Sequence, residues 1–239
     1  MKPPSPSAEP TATDFYRAKR GGDLFSERVG QRLGSRVAVF ANQHHIAPTV
    51  LTVASLGIGC LVSVAVVALA VPVADGSVWA WPVGLLALIG WQIAYALDCA
   101  DGQLARTTGQ ASPAGSQINV LCGVAAQVAL IAALASVAEA QVPVIPAWLL
   151  AAFAGTWMVH LITSVMPAGP SIDSLIPGAS LPVRVVKLVR DHGFVVFVSG
   201  LVLALAPQWT VWLVGVFTLI NAAFLAAGIA VAGREALRR

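Results

Sequence analysis

Apolar residues run along this chain in six long segments, broken by short polar stretches. The segments cover roughly 49–73, 78–97, 114–138, 144–166, 193–206 and 208–232. Each is long enough, or nearly so, to cross a bilayer as a helix, which takes about 20 apolar residues. The fifth is short alone and gains length if the half-polar stretch 181–192 forms its first half. Arg184, Lys187 and Arg190 then project from one side at three-residue spacing. Ahead of the segments the pattern changes. Over 23–41, Phe25, Val29, Leu33, Val37 and Phe40 recur at helical spacing, with Glu27, Arg28, Gln31, Arg32, Ser35 and Arg36 between them. This predicts a basic amphipathic helix lying beside the membrane in the interface plane. Residues 1–22 are rich in Pro, Ser, Ala and Thr without an apolar run, and read as a disordered polar tail. The pattern as a whole predicts an all-α integral membrane protein. Six transmembrane helices fill 49–232, an interfacial helix precedes them, and a basic tail follows at 233–239.

Composition supports the same class. Of 239 residues, 57% are hydrophobic and only 10% charged, with mean hydropathy +0.80, which excludes an ordinary soluble domain. A pI near 9.0 would suit nucleic acid, but the placement of charge argues against that partner. The 14 Lys and Arg fall in the N-terminal segment, in two interhelical loops or after the last span, while the other three loops hold only Asp75 and Glu139 as charges. That is the positive-inside pattern, so both termini and the basic loops are expected in the cytoplasm, facing anionic lipid of an inner or plasma membrane. Cys60, Cys99 and Cys122 lie in apolar runs or at their edges and read as small core residues, with no disulfide framework.

The most polar part of the apolar region is 98–123, DCADGQLARTTGQASPAGSQINVLCG. Asp98 and Asp101, three residues apart, share one helix face directly behind the second apolar run. Gly115, Asn119 and Gly123 follow at four-residue steps and share a face at the start of the third. Two helix ends therefore meet across a short turn, with two carboxylates aimed at the junction, and carboxylates at a membrane boundary usually mark a site. Mg2+ typically takes one or two protein carboxylates together with substrate phosphates, which suits this pair. Arg106 is the only base in its loop and can pair with an acid or contact phosphate. The Arg184, Lys187 and Arg190 ladder is open to two readings: attraction to anionic lipid, or a site for an acceptor phosphate. His44 and His45 read as interfacial, Asp173 as a loop residue, and His160 as a hydrogen-bonded intramembrane residue.

With Asp98, Asp101, Gly102, Ala105, Arg106 and Gly115 in place, the stretch resembles the signature of the CDP-alcohol phosphotransferases, D-x2-D-G-x2-A-R-x8-G-x3-D-x3-D, without a gap. The resemblance extends to six spans, to a cytoplasmic amphipathic N-terminal helix, and to a Pro-Asn-x-x-Thr-like opening of the first span, echoed by Pro48 to Thr52 with Thr49 in the Asn place. It implies transfer of a phospho-alcohol group from a CDP-alcohol to a second alcohol with release of CMP, as in phospholipid biosynthesis. By the same resemblance, Asp98 and Asp101 bind metal and pyrophosphate, while Gly102, Ala105 and Arg106 line a cytidine pocket. Gly115 lets the nucleotide approach the third helix, and the chain forms a homodimer among membrane lipids.

The sequence departs from that pattern at two positions. The third Asp of the signature falls on Asn119 and the fourth, the family's proposed general base, on Gly123. Asn119 can ligate a hard cation through oxygen but carries no charge, and Gly123 offers neither ligand nor base. No Asp or Glu lies between Asp101 and Glu139 to restore them. The expectation is a site for Mg2+ or Mn2+, held by Asp98, Asp101 and Asn119, with fewer or weaker ions than the family norm. Replacement bases are sought among His44, His45, Asp191 and His192. The alternative is a catalytically inactive homologue that binds nucleotide or a partner protein. A small transporter fits less well, because the acids sit at the membrane boundary and not near its midplane.

Overall fold

The structure, a computed structural model, describes residues 9–19, 24–165, 188 and 191–237. The described residues are helical, with no strand among them. Three short helices lead in: α1 (Ala12–Arg17), α2 (Leu24–Arg28) and α3 (Gly30–Gln43). Longer ones follow: α4 (Pro48–Ala74), α5 (Ala80–Thr107), α6 (Pro113–Gln141), α7 (Ala147–Val165), α8 (His192–Leu205) and α9 (Thr210–Ala236), the last entered through one 3-10 turn, Pro207–Trp209. Among the described residues four helices are long and apolar enough to cross a membrane: Pro48–Ala74, Ala80–Thr107, Pro113–Gln141 and Pro207–Ala230. Two apolar helices, Ala147–Val159 and His192–Leu205, are shorter. At about 1.5 Å per residue α8 reaches roughly 21 Å, less than the ~30 Å of a hydrocarbon core. The stretch expected to lengthen it falls, apart from Leu188, Asp191 and His192, outside the described residues, as do Arg184, Lys187, Arg190 and Asp173.

Helix α5 is the hub. It packs against α3, α4 and α8, and α4 packs in turn against α6. Small residues let these axes approach. A side-chain carbon at Gly84 would lie 2.0 Å from the Ala204 nitrogen, and one at Gly200 would lie 2.5 Å from Leu88 Cα, so α5 and α8 cross with their backbones nearly touching. The apolar core is formed by Val62, Val66, Trp91, Leu134, Phe153, Trp157 and Phe217 among others. In it the Trp157 and Phe217 rings stack at 4.5 Å, and the Trp157 indole N–H donates to Gln127 Oε1 at 2.7 Å.

The leading segment differs from its expected form. Within the stretch expected to be a disordered tail, Ala12–Arg17 is helical, with Thr11 and Asp14 forming a capping box. Phe15 is fully buried beside Ala38, Ala41, Leu51, Ala100 and Leu104. One aromatic side chain thus ties a polar segment to the bundle. The expected helix over 23–41 is two helices with a turn at Val29, and the face that α3 buries is small and polar: Gly30, Gln31, Gly34, Ser35, Ala38 and Ala41. Leu33 and Phe40 point outward, 39% and 56% exposed, and Arg28, Arg32 and Arg36 are exposed too. Small residues on the inner face allow close approach to α5, where a side chain at Gly34 would meet Cys99 Cβ at 2.7 Å.

Candidate functional site

The second long helix does not stop where its apolar run ends. α5 continues through the polar stretch to Thr107, so Asp98, Asp101, Gly102, Ala105 and Arg106 all lie on its last turns. Thr108 closes α5, and Ser112 caps α6 by accepting from the Gly115 N–H at 3.1 Å. The expected meeting of two helix ends across a short turn is therefore found, and α4 forms the third wall.

Asp101 is the centre of the arrangement, 4% exposed. Its Oδ2 accepts a hydrogen bond from Asn119 Nδ2 on α6 at 2.6 Å and another from the Thr52 hydroxyl on α4. Arg106 lies close enough to Asp101 for its charge to act on that carboxylate. Pieces of chain separated by 49 and 18 residues thus converge on one carboxylate. Arg106 also faces the leading segment: its Nε donates to the Ala18 carbonyl at 2.7 Å, and its guanidinium lies over Gly102, 2.9 Å from where a side-chain carbon would sit. Ala105 is half-buried, and its carbonyl closes the α5 end by accepting from the Gln110 N–H at 2.8 Å.

Asp98 faces a different space. A cavity of about 90 Å3 lies between α4, α5, α6 and α8, lined by Thr52, Tyr95, Asp98 and His192 together with Gly123. Trp91, Leu130 and Val196 line it one or two helical turns further along, so an apolar floor adjoins a polar mouth. A side-chain carbon at Gly123 would meet no atom of a neighbouring helix within 4 Å, so the space at that position is open.

Of the four sought replacement bases, only His192 lines this cavity. His44 and His45 are exposed where α3 ends, with the His44 ring against Phe40. Asp191 is 3% exposed and fully engaged. It accepts from the Phe25 N–H at 3.0 Å, the Ser26 N–H at 2.8 Å, the Ser26 hydroxyl and the Phe194 N–H at 3.1 Å. The Tyr95 hydroxyl completes the knot by donating to Ser26 Oγ at 2.6 Å. Pattern reasoning missed this knot, since a lone Ser in an amphipathic helix and a lone Asp ahead of an apolar run carry no joint signal. It missed the buried Gln103 too, whose amide donates to the Gln31 carbonyl and side chain at 3.0 and 2.7 Å.

Among the described residues no group of three His, Cys, Asp or Glu side chains could hold a metal ion. The side-chain oxygens at the junction include those of Asp98 and Asp101 and the Thr52 hydroxyl. Asn119 presents its amide nitrogen, and Gly123 presents nothing. Two carboxylates are too few for a pair of cations, and a single cation would have to complete its ligand set from water or substrate phosphate. No protein-family model matches the chain, and no curated protein matches it.

Proposed function

We propose that this chain crosses the membrane six times, binds a CDP-alcohol at the cytoplasmic ends of α5 and α6, and transfers its phospho-alcohol group to an acceptor hydroxyl with release of CMP. The observation that carries the reading is the cluster on Asp101. Pro48 to Thr52, which echoes the family's opening of the first span, lies far in the chain from the signature stretch Asp98 to Gly123, yet Thr52 and Asn119 both meet Asp101 through hydrogen bonds. The exposed Arg28, Arg32 and Arg36 beside outward-facing Leu33 and Phe40 support an interfacial α3 on the cytoplasmic side.

In this reading the acceptor hydroxyl enters the cavity between Asp98 and His192. Its oxygen bonds to the phosphorus that carries the donor alcohol, the bridging P–O bond breaks, and CMP leaves with that electron pair. His192 takes the hydroxyl proton, a part that general-base catalysis makes worth about 10^2 to 10^4 in rate. A divalent cation, Mg2+ or Mn2+, would supply charge to the pyrophosphate from Asp98 and Asp101. Arg106, already at the junction, is the side chain suited to a phosphate oxygen once it leaves the Ala18 carbonyl. A second reading, binding without turnover, is favoured by the open space at Gly123.

The test is CMP release by the purified protein in lipid from a panel of CDP-alcohols with Mg2+ or Mn2+, compared with Asp98→Ala. Release that requires Asp98 is the expected result. Asp98-dependent binding of CDP-diacylglycerol without release would move the assignment to the second reading, and loss of both would overturn the nucleotide site.

A further inference from the structure

Asn119 stands where the resembled signature has a third acid, and its orientation is set by chemistry. Its carboxamide lies 2.6 Å from Asp101 Oδ2. An oxygen turned that way would set lone pair against lone pair, so the nitrogen must face the carboxylate as donor. Thr52 donates to the same oxygen, and the carboxylate is almost wholly shielded from water. A third carboxylate at position 119 would instead crowd like charges into a buried space, an arrangement that a cation relieves. The amide N–H group therefore does electrostatically, and more weakly, what a bridging cation does between acids.

We propose that Asn119 is a built-in substitute for the bridging cation: its amide ties α6 to α5 through Asp101 Oδ2, the place that a cation shared by Asp101 and an acid at position 119 would take. The proposal rests on the reading of Asp98 and Asp101 as the cation-facing pair, and on nothing about turnover. Two consequences follow from ligand chemistry. The natural chain holds its fold without divalent metal. Asn119→Asp trades a donor for a third anionic oxygen ligand, which favours a hard cation and makes the junction depend on it.

Thermal unfolding of the full-length protein in lipid nanodiscs, in EDTA and in Mn2+, tests this, with Mn2+ binding followed by electron paramagnetic resonance on the same samples. The natural protein should unfold at the same temperature in both buffers and bind Mn2+ weakly. Asn119→Asp, purified in Mn2+, should unfold earlier in EDTA, recover in Mn2+, and bind the ion at least about tenfold tighter. Asn119→Leu, which neither donates nor ligates, should be less stable in both buffers. A natural protein that itself loses stability in EDTA overturns the proposal, and that comparison needs no variant to fold. So does an Asn119→Asp protein indifferent to EDTA. If Asn119→Asp binds no Mn2+, the cation-facing reading of Asp98 and Asp101 falls as well, whatever the CMP assay returns.

Discussion

Asp191 and His192 are neighbours in the chain with unlike surroundings. The Asp191 carboxylate is taken up by four donors from α2 and α8, while the His192 ring leans edge-on against Tyr95 and borders the cavity that Asp98 enters. Both residues were equal candidates in the linear sequence, because adjacency in a chain says nothing about which direction a side chain takes from a helix start. His192→Ala is expected to lower CMP release by about 10^2 to 10^4, whereas His44→Ala and His45→Ala leave it unchanged. Steady-state CMP release, with CDP-alcohol binding measured alongside, checks this, and undiminished release by His192→Ala would exclude it as base. Asp98 and Asp101 were legible for the opposite reason. Their three-residue spacing on a continuous helix sets their relation before any tertiary contact forms. Thr52 was legible only as part of a short Pro-to-Thr echo, and its bond to Asp101 needed two helices to meet.

At the scale of elements, the leading helices show how a sequence pattern can be right in period and incomplete in partners. An amphipathic helix over 23–41 is marked by its apolar spacing, yet the break at Val29 and the small, polar buried face of α3 follow from packing on α5. The start of α2 has backbone N–H groups with no partner inside the helix, and Asp191 supplies one from α8. Asp191→Ala leaves the Phe25 and Ser26 N–H groups and the Ser26 hydroxyl without that acceptor in a buried place. A loss on the order of 3 kcal/mol is expected, since each buried orphan costs about 1–3 kcal/mol. It should be read as a lowered Tm and as faster hydrogen exchange confined at first to α2 and the start of α8. Unchanged exchange there would mean the knot does not hold α2. Helix α1 escaped sequence reading altogether, because six polar-rich residues around one Phe carry no periodic signal until the Ala38 and Ala41 face of α3 receives that ring.

For the molecule as a whole, α5 sets the geometry, since α3, α4 and α8 all lie against it. The α5–α8 crossing has no room for a side chain at Gly84, so Gly84→Val must separate the two backbones. A fall in folded yield and in Tm is expected from size-exclusion and thermal-unfolding measurements in detergent, with Gly57→Ala, at a site open to the surroundings, as the neutral comparison. A normal Tm for Gly84→Val would deny the close crossing. Exposed Trp79, Trp81, Trp148, Trp209 and Trp212 stand at the starts of α5, α7 and the last long helix, the ends away from Asp98, where an interfacial aromatic belt is expected of a membrane bundle. Helical class, apolar helices long enough to cross a membrane and the placing of Asp98 and Asp101 on one helix were readable from the residues alone. Each depends on local properties: length of apolar run, period of the helix and spacing along one face. The direction of the Asn119 amide, the engagement of Asp191, the hold of the leading segment on Arg106 and the cavity beside His192 arise from packing between distant segments. Those contacts depend on which helix faces approach and how closely, and a linear pattern of apolar and polar positions does not carry that information.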